Sequence, residues 1–161
     1  MPSFIIGKNE LVTSLSNIGS GTNAFSLAAI RGYKNAPSIG VTVHLNDVAK
    51  VHVLALDEEK LPKQAEPIYD HFLTSSGGVE GTKFDDAIEI VKKNFPAQVE
   101  QGLWPMNGTH PAKRFPIDSS RTEKVFGIQF KGFEEQVKSV VEHYVELAYE
   151  AGIKKAGDVV V

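Results

Sequence analysis

The chain has 161 residues, of which 42% are hydrophobic and 23% charged, and its 17 Lys and Arg against 20 Asp and Glu give a formal net charge of −3. This composition is typical of folded globular proteins, and the mildly acidic balance argues against nucleic acid or an anionic membrane as the main partner. Because the chain contains no cysteine, disulfide bonds, thiol nucleophiles and thiolate metal sites are excluded. The length predicts one domain over residues 1–161, with residues 153–161 as a tail.

Short apolar runs bounded by turn residues predict strands, and apolar residues that repeat at three- and four-residue steps predict helices. In chain order, the predicted strands are residues 4–6, 41–45 and 68–74. The predicted helices are residues 11–15, 24–33, 47–56, 82–94, 120–127 and 133–151, and residues 96–117, with four prolines, are predicted to be irregular. Asn46 or Asp47 is expected to cap the third helix, and Thr82 the fourth. This alternation predicts an α/β fold, in which a small mixed or parallel sheet of three to four strands packs with about five helices.

One short motif fits a dinucleotide-binding loop but lacks its context. Residues 19–24 read Gly-Ser-Gly-Thr-Asn-Ala, which matches the glycine fingerprint found ahead of a helix. That loop functions only in a tight turn that leaves a buried strand, whereas the polar residues Ser14, Ser16 and Asn17 precede it here. We therefore expect a flexible turn into the next helix and no nucleotide site at this loop.

Four ordered segments carry a resemblance to a known family. Residues 41–56 read VTVHLNDVAKVHVLAL, residues 115–127 read FPIDSSRTEKVFG, and residues 2–7 and 133–137 read PSFIIG and FEEQV. They resemble the C-terminal, substrate-binding half of extended short-chain dehydrogenases/reductases of the NAD-dependent epimerase/dehydratase family, in particular dihydroflavonol reductase and the fungal aldehyde or ketone reductases. The resemblance implies the fold of that half, without the N-terminal Rossmann half.

The resemblance also implies what the chain does not carry. In that family the first half holds the glycine-rich dinucleotide loop and a catalytic Tyr-x-x-x-Lys pair. None of the four tyrosines, Tyr33, Tyr69, Tyr144 and Tyr149, has a lysine four residues later. Because hydride transfer needs a bound nicotinamide, we expect no cofactor and no redox chemistry by this chain alone.

The candidate catalytic residues are His44, Lys8 and His71. His44 lies on a predicted strand next to the substrate loop, and its ordinary pKa suits general acid or base chemistry. The alternative is that His44 only forms a hydrogen bond within the core. Lys8 follows the first strand, where the family's substrate contacts begin. His71 follows Asp70 on a predicted strand, so these two side chains point to opposite faces and form no local dyad, although one of them could reach a pocket.

The candidate substrate-binding residues lie on the first strand, the next helix and the proline-rich segment: Phe4, Ile6, Glu10, Phe25, Arg31, Trp104 and His110. An aromatic residue with cationic neighbours in a long loop could bind a planar acidic ligand, but a surface loop held in place by Trp104 explains the same residues. The five histidines are scattered, and there is no His-x-x-x-His pair or acidic cluster with ligand spacing. We therefore expect no metal site.

Two functional hypotheses of different classes follow. In the first, the chain is a cofactor-independent cyclase or isomerase that uses proton transfer, such as addition of a hydroxyl to an alkene, on a small hydrophobic, aromatic or polyketide-like metabolite. In the second, it is a non-catalytic or split part of an NAD(P)H-dependent reductase and serves as its substrate-binding part. Tight NADPH binding would contradict the first hypothesis, and a need for an N-terminal partner would support the second.

The expected setting is the cytoplasm, because the opening residues lack the basic segment and long apolar run of a signal peptide. No run of residues is apolar for long enough to span a bilayer, so no membrane partner is expected. A small open sheet leaves exposed edges, and covering them against a second copy predicts a homodimer.

Overall fold

The computed structural model describes residues 1–57, 59, 61 and 71–155. Within these residues, four short strands form two parallel pairs. β1 (Phe4–Ile6) pairs with β3 (Thr42–His44), and β2 (Ser38–Ile39) pairs with β4 (Ala112–Lys113). Parallel strands require long crossover connections, and these hold the helices.

Six α-helices accompany these strands in the described part of the chain. They are α1 (Asn23–Leu27), α2 (Leu45–Leu54), α3 (Ala87–Asn94), α4 (Pro96–Glu100), α5 (Ser120–Phe126) and α6 (Phe133–Glu150). A 3-10 turn at Phe84–Asp86 leads directly into α3. The predicted α/β fold is confirmed, as are the strands at 4–6 and 41–45 and the last two helices. The described strands form two separate two-stranded sheets, whereas the sequence predicts one small sheet of three to four strands.

The core lies on both faces of the β1–β3 pair, because successive strand side chains point to opposite faces. Ile6 belongs to a cluster that includes side chains of α1, α3 and α6, whereas Ile5 packs with Val43 in a second cluster that includes side chains of α2 and α5. The periodic stripe of α6 supplies part of the first cluster: Val137, Val140, Val141, Tyr144 and Leu147. This stripe is the amphipathic pattern from which α6 is predicted.

The helix predicted over residues 24–33 is much shorter in the structure, where α1 ends at Leu27. The carbonyl oxygens that would continue it are used by a distant loop: Ala29 accepts a hydrogen bond from Gly108 N–H, and Ile30 accepts one from Met106 N–H. Pattern alone does not reveal this competition. The helix predicted at residues 11–15 is also wrong, because these residues form turns, a bend and irregular structure.

The predicted helix caps are corrected as well. α2 begins at Leu45, two residues earlier than expected, and its N-cap is His44, whose side chain accepts a hydrogen bond from Asn46 N–H. Asp47 is buried within the first turn and accepts a hydrogen bond from Lys131 N–H at 2.7 Å. Thr82 does not cap a helix, because its hydroxyl bonds to that of Thr42 at 2.7 Å.

Two further expectations meet the structure only in part. The segment predicted to be irregular, residues 96–117, contains α4 and β4. The strand predicted at 68–74 has no regular structure at residues 71–73, and Thr74 forms an isolated bridge with Pro2. Residues 68–70, and the tail from residue 156, lie outside the described residues. Across the described ranges, no helix has the length and apolar character needed to cross a membrane.

Candidate functional site

Three adjoining depressions lie at the carboxyl ends of β1 and β3, and we call them together the carboxyl-edge groove. The first, of about 320 Å³, includes Gly7 in its lining, and the second, of about 550 Å³, includes Lys8. Asn9 and Leu45 line both of these. The third, of about 260 Å³, includes His44 and shares Asn46 and Ser139 with the second. The shared lining residues show that the three depressions adjoin one another along this edge.

The wall of the groove beside β1 is held by side-chain hydrogen bonds to the backbone. The Asn23 amide accepts a hydrogen bond from Gly7 N–H at 3.1 Å and donates one to the Gly7 carbonyl at 2.9 Å. The Thr22 hydroxyl donates to the Ile5 carbonyl. A Cβ at Gly7 would lie 2.8 Å from the Leu45 Cβ, so a glycine is needed where the chain leaves β1 and passes the start of α2.

Lys8 and Glu10 both line the groove, but the Lys8 ammonium is already paired. Lys8 Nζ lies 2.6 Å from Glu146 Oε2, and the Lys8 backbone N–H donates to Ser139 Oγ at 3.0 Å. The hydrogen bond to Glu146 raises the pKa of Lys8 above its ordinary value. Lys8 is therefore a cation at neutral pH and holds no free electron pair with which to act as a base.

His44 reaches the groove from the end of β3, and only 4% of its surface is exposed. Its Nδ1 accepts the Asn46 N–H at 3.0 Å, which satisfies one of the free donors at the start of α2. Burial lowers the pKa of His44 below its ordinary value, and the nearby Lys131 ammonium lowers that pKa further. The imidazole is therefore neutral at neutral pH.

Three of the predicted substrate-binding residues meet in an aromatic cluster. The Phe25 ring lies 4.8 Å from that of Phe4, 5.1 Å from that of His110 and 5.5 Å from that of Phe84. His110 stacks on Phe84 at 4.8 Å, and its Nε2 lies 2.8 Å from the Ser38 hydroxyl. His110 is buried, so this cluster brings Phe4, Phe25 and His110 together mainly as packed interior.

The remaining predicted site residues lie elsewhere. Ile6 and Trp104 are buried in the first core cluster, where Trp104 packs against Tyr144. The Arg31 guanidinium lies over the Tyr33 ring at 5.2 Å. His71 lines a separate depression beside His52. The structure thus brings Lys8, Glu10 and His44 to one groove and leaves His71 outside it.

Sequence reasoning missed several groove residues that make or complete the site: Asn9, Asn23, Leu45, Asn46, Lys131 and Ser139. Asn46 could have been found, because it follows a strand that ends at the edge where parallel sheets bind ligands. Lys131 and Ser139 carry no comparable signal. Ser139 reaches the groove because α6 packs against β3, and Lys131 is held there because its N–H donates to Asp47.

The Gly19–Ala24 loop does not fit a dinucleotide. No strand leads into it, since residues 14–20 form turns and bends, and α1, which follows it, has only 5 residues. Its polar side chains Thr22 and Asn23 are used to hold the end of β1. The expected turn is confirmed. Among the described residues, no group of three or more potential metal-binding side chains is found.

No protein-family model matches the chain. It is 36% identical over 152 residues to the ketoreductase CTB6 of Cercospora beticola, an alignment that covers 91% of this chain and 40% of that protein. It is 32% identical over 146 residues to the NAD-dependent epimerase/dehydratase FUM13 of Gibberella moniliformis, covering 85% of this chain and 38% of that protein. The chain therefore spans about 40% of the length of the curated relatives it matches.

Solved structures show the same fold. Gre2 from Candida albicans superposes with a TM-score of 0.60 at 20% identity, over 91% of this chain and 43% of that chain. The yeast methylglyoxal/isovaleraldehyde reductase Gre2, complexed with NADPH, gives a TM-score of 0.61 at 14% identity, over 92% of this chain and 45% of that chain. The predicted resemblance is confirmed: the chain is similar to part of an NAD-dependent epimerase/dehydratase-type protein and has the corresponding part of the short-chain reductase fold.

Proposed function

We propose that the chain is the substrate-binding part of an NAD(P)H-dependent ketoreductase-type enzyme and binds a small carbonyl compound in the carboxyl-edge groove. The single observation that carries this proposal is the position of the groove, at the carboxyl ends of two parallel strands. Open α/β sheets bind their ligands at this edge. The relatives named as ketoreductases support the substrate class, although the chain matches less than half of their length.

The lining of the groove suits a ligand with both polar and apolar parts. Leu11, Leu45 and Ala49 offer apolar surface, and Asn9 and Asn46 offer amide groups beside it. Pockets for small molecules combine apolar walls with a few placed polar groups that fix the orientation of the ligand. Because the Gly19–Ala24 loop does not fit a dinucleotide, a separate dinucleotide-binding part has to supply the hydride donor.

The cyclase or isomerase hypothesis has weaker support from the geometry and stays a prediction. It needs a proton acceptor and a proton donor at one site. His44 Nδ1 is occupied by the Asn46 N–H, and the Lys8 ammonium is paired with Glu146. His71 lines a different depression. The three residues predicted to be catalytic therefore do not form one acid–base set.

The predicted homodimer also stays a prediction.

The proposal is tested by titrating the purified chain with ethyl acetoacetate and, separately, with NADPH, using isothermal titration calorimetry. We expect saturable binding of the ketone and none of NADPH. Tight NADPH binding by the chain alone would overturn the proposal. Conversion of a carbonyl compound without any nicotinamide would favour the cyclase or isomerase instead.

A matched pair of variants shows whether the ketone occupies the groove. Leu45→Trp places a large side chain where two of the depressions meet. Leu56→Trp makes the same change at a position that is 83% exposed and lies just beyond α2. We expect Leu45→Trp to weaken ketone binding at least tenfold and Leu56→Trp to leave it unchanged. Equal affinities in the two variants would place the ketone outside the groove.

A further inference from the structure

We propose that His44 is a fixed hydrogen-bond donor in the third depression of the groove, where its Nε2–H binds a carbonyl oxygen of the ligand. The inference rests on the proposed function and deepens it, because it names the group that recognises the ligand. This hydrogen bond positions the ligand. We do not assign the carbonyl oxygen that His44 binds as the oxygen that is reduced.

The first step of the argument concerns the tautomer of the imidazole. Nδ1 accepts the Asn46 N–H at 3.0 Å, so Nδ1 carries no proton. A neutral imidazole has one protonated nitrogen, and that nitrogen must then be Nε2. The backbone of α2 therefore fixes His44 as a donor at Nε2, and this ring cannot accept a proton at neutral pH without losing the cap.

The second step is that Nε2 is free and reachable, although only 4% of the His44 surface is exposed. Nε2 has no hydrogen-bond partner among the described residues. It is also absent from the unpartnered polar atoms that are fully shielded from solvent, so Nε2 retains some exposure. Since His44 lines the third depression, Nε2 is a free donor on otherwise buried protein. A ligand acceptor at this position would replace water at Nε2 with a hydrogen bond in largely buried surroundings, where such a bond strengthens binding by about two- to tenfold in general.

The third step decides between a neutral and an anionic acceptor. Four charged side chains line this depression, the cations Lys131 and Lys138 and the carboxylates Glu135 and Glu142. None of the four forms an ion pair with a described residue. The formal charges of this lining sum to zero, so the lining as a whole does not select for an anion, and we assign a neutral carbonyl oxygen as the acceptor for the His44 donor.

Isotope-edited NMR of the full chain tests the tautomer and the contact together. The long-range proton–nitrogen pattern of His44 is expected to show the proton on Nε2, and addition of ethyl acetoacetate is expected to shift that nitrogen. The acetoacetate anion is expected to bind no more tightly than the ester. A proton on Nδ1, or an anion that binds tenfold more tightly than the ester, would overturn the inference.

Two substitutions separate the cap from the donor. The Asn side chain of His44→Asn can replace the Nδ1 acceptor, since Asn is a preferred N-cap, but it has no donor at the Nε2 position. The longer amide of His44→Gln carries a donor farther out and is a poor cap. We expect His44→Asn to keep its melting temperature and bind ethyl acetoacetate about tenfold more weakly. His44→Gln is expected to melt at a lower temperature and to keep its affinity within about threefold.

The outcomes distinguish this inference from the proposed function. If the ester shifts the amide signals of Asn9 and Leu45 but leaves His44 unchanged, the groove binds the ketone and the inference about His44 fails. If the ester shifts no residue of the groove, the proposed function fails as well. Equal affinity of His44→Asn and the unchanged chain would refute the donor role while leaving the groove as the binding site.

Discussion

Acidification is expected to weaken the start of α2 by protonating His44. Its pKa is lowered in the folded chain, first by burial and then by the charge of Lys131, while Asp47 and Glu135 act in the opposite direction. A histidine whose folded pKa lies below its unfolded value takes up a proton more readily when unfolded. The stability it contributes is therefore present above the ordinary histidine pKa of about 6.5 and is lost as the pH falls through the lowered value.

The magnitude follows from what protonation removes. A protonated Nδ1 cannot accept the Asn46 N–H, so the helix loses its N-cap. Loss of an N-cap costs about 1 kcal/mol, within a range of about 0.5–2 kcal/mol. For a chain of this size, 1 kcal/mol corresponds to a change in melting temperature of roughly 2–4 °C.

The assay compares thermal unfolding of the unchanged chain and His44→Asn between about pH 8 and pH 5, which spans the ordinary histidine pKa. Asparagine caps the helix at both pH values, so the titration of the other groups cancels in the difference between the two proteins. We expect the unchanged chain to lose about 2–4 °C more than the variant on acidification. Parallel losses in the two proteins would refute the assignment of the cap to His44 Nδ1.

Three further predictions concern packing and the surface. Gly108→Ala would place a Cβ 2.4 Å from the Tyr33 carbonyl oxygen, and we expect a loss of about 1–3 kcal/mol in urea unfolding; an unchanged midpoint would contradict this close approach. Phe84→Ala removes a ring with no exposed surface, and we expect it to lower the free energy of unfolding by about 3–5 kcal/mol in the same assay. Phe115→Ala is the control, because that ring is half-exposed. A smaller loss for Phe84→Ala than for Phe115→Ala would be inconsistent with the burial of Phe84. Lys8→Met breaks an exposed pair with Glu146 and is expected to leave the melting temperature unchanged, whereas a large loss would indicate a structural role for that pair.

The parts of the fold that the sequence predicts are those decided by local pattern. β1 is a short apolar run that ends at Gly7, β3 lies in a β-branched run, and α6 repeats its apolar residues over many turns before Gly152. α5 ends where predicted, because Gly127 adopts a φ of 61° that favours glycine. In each of these elements, the interactions that decide the structure lie within a few residues of one another.

The elements that the sequence does not predict depend on distant partners. α1 is short, and beyond it the Ala29 and Ile30 carbonyls accept hydrogen bonds from the loop of residues 106–108 and not from the N–H groups that would continue a helix to residue 33. Thr82 is drawn away from the helix that it precedes by the Thr42 hydroxyl. No periodicity in either segment reports these bonds. These hydrogen bonds form only when β3 and the loops beside it have folded against one another.

His44 shows the same division within the candidate site. The sequence places it at the end of a strand, which is enough to bring it to the ligand-binding edge of a parallel sheet. Whether it acts as a base, a core residue or a donor depends on which ring nitrogen is protonated. That choice is made by one backbone N–H two residues later, at 3.0 Å from Nδ1. Because histidine is not among the preferred capping residues, its sequence position does not predict this contact, and the chemistry at Nε2 follows from it.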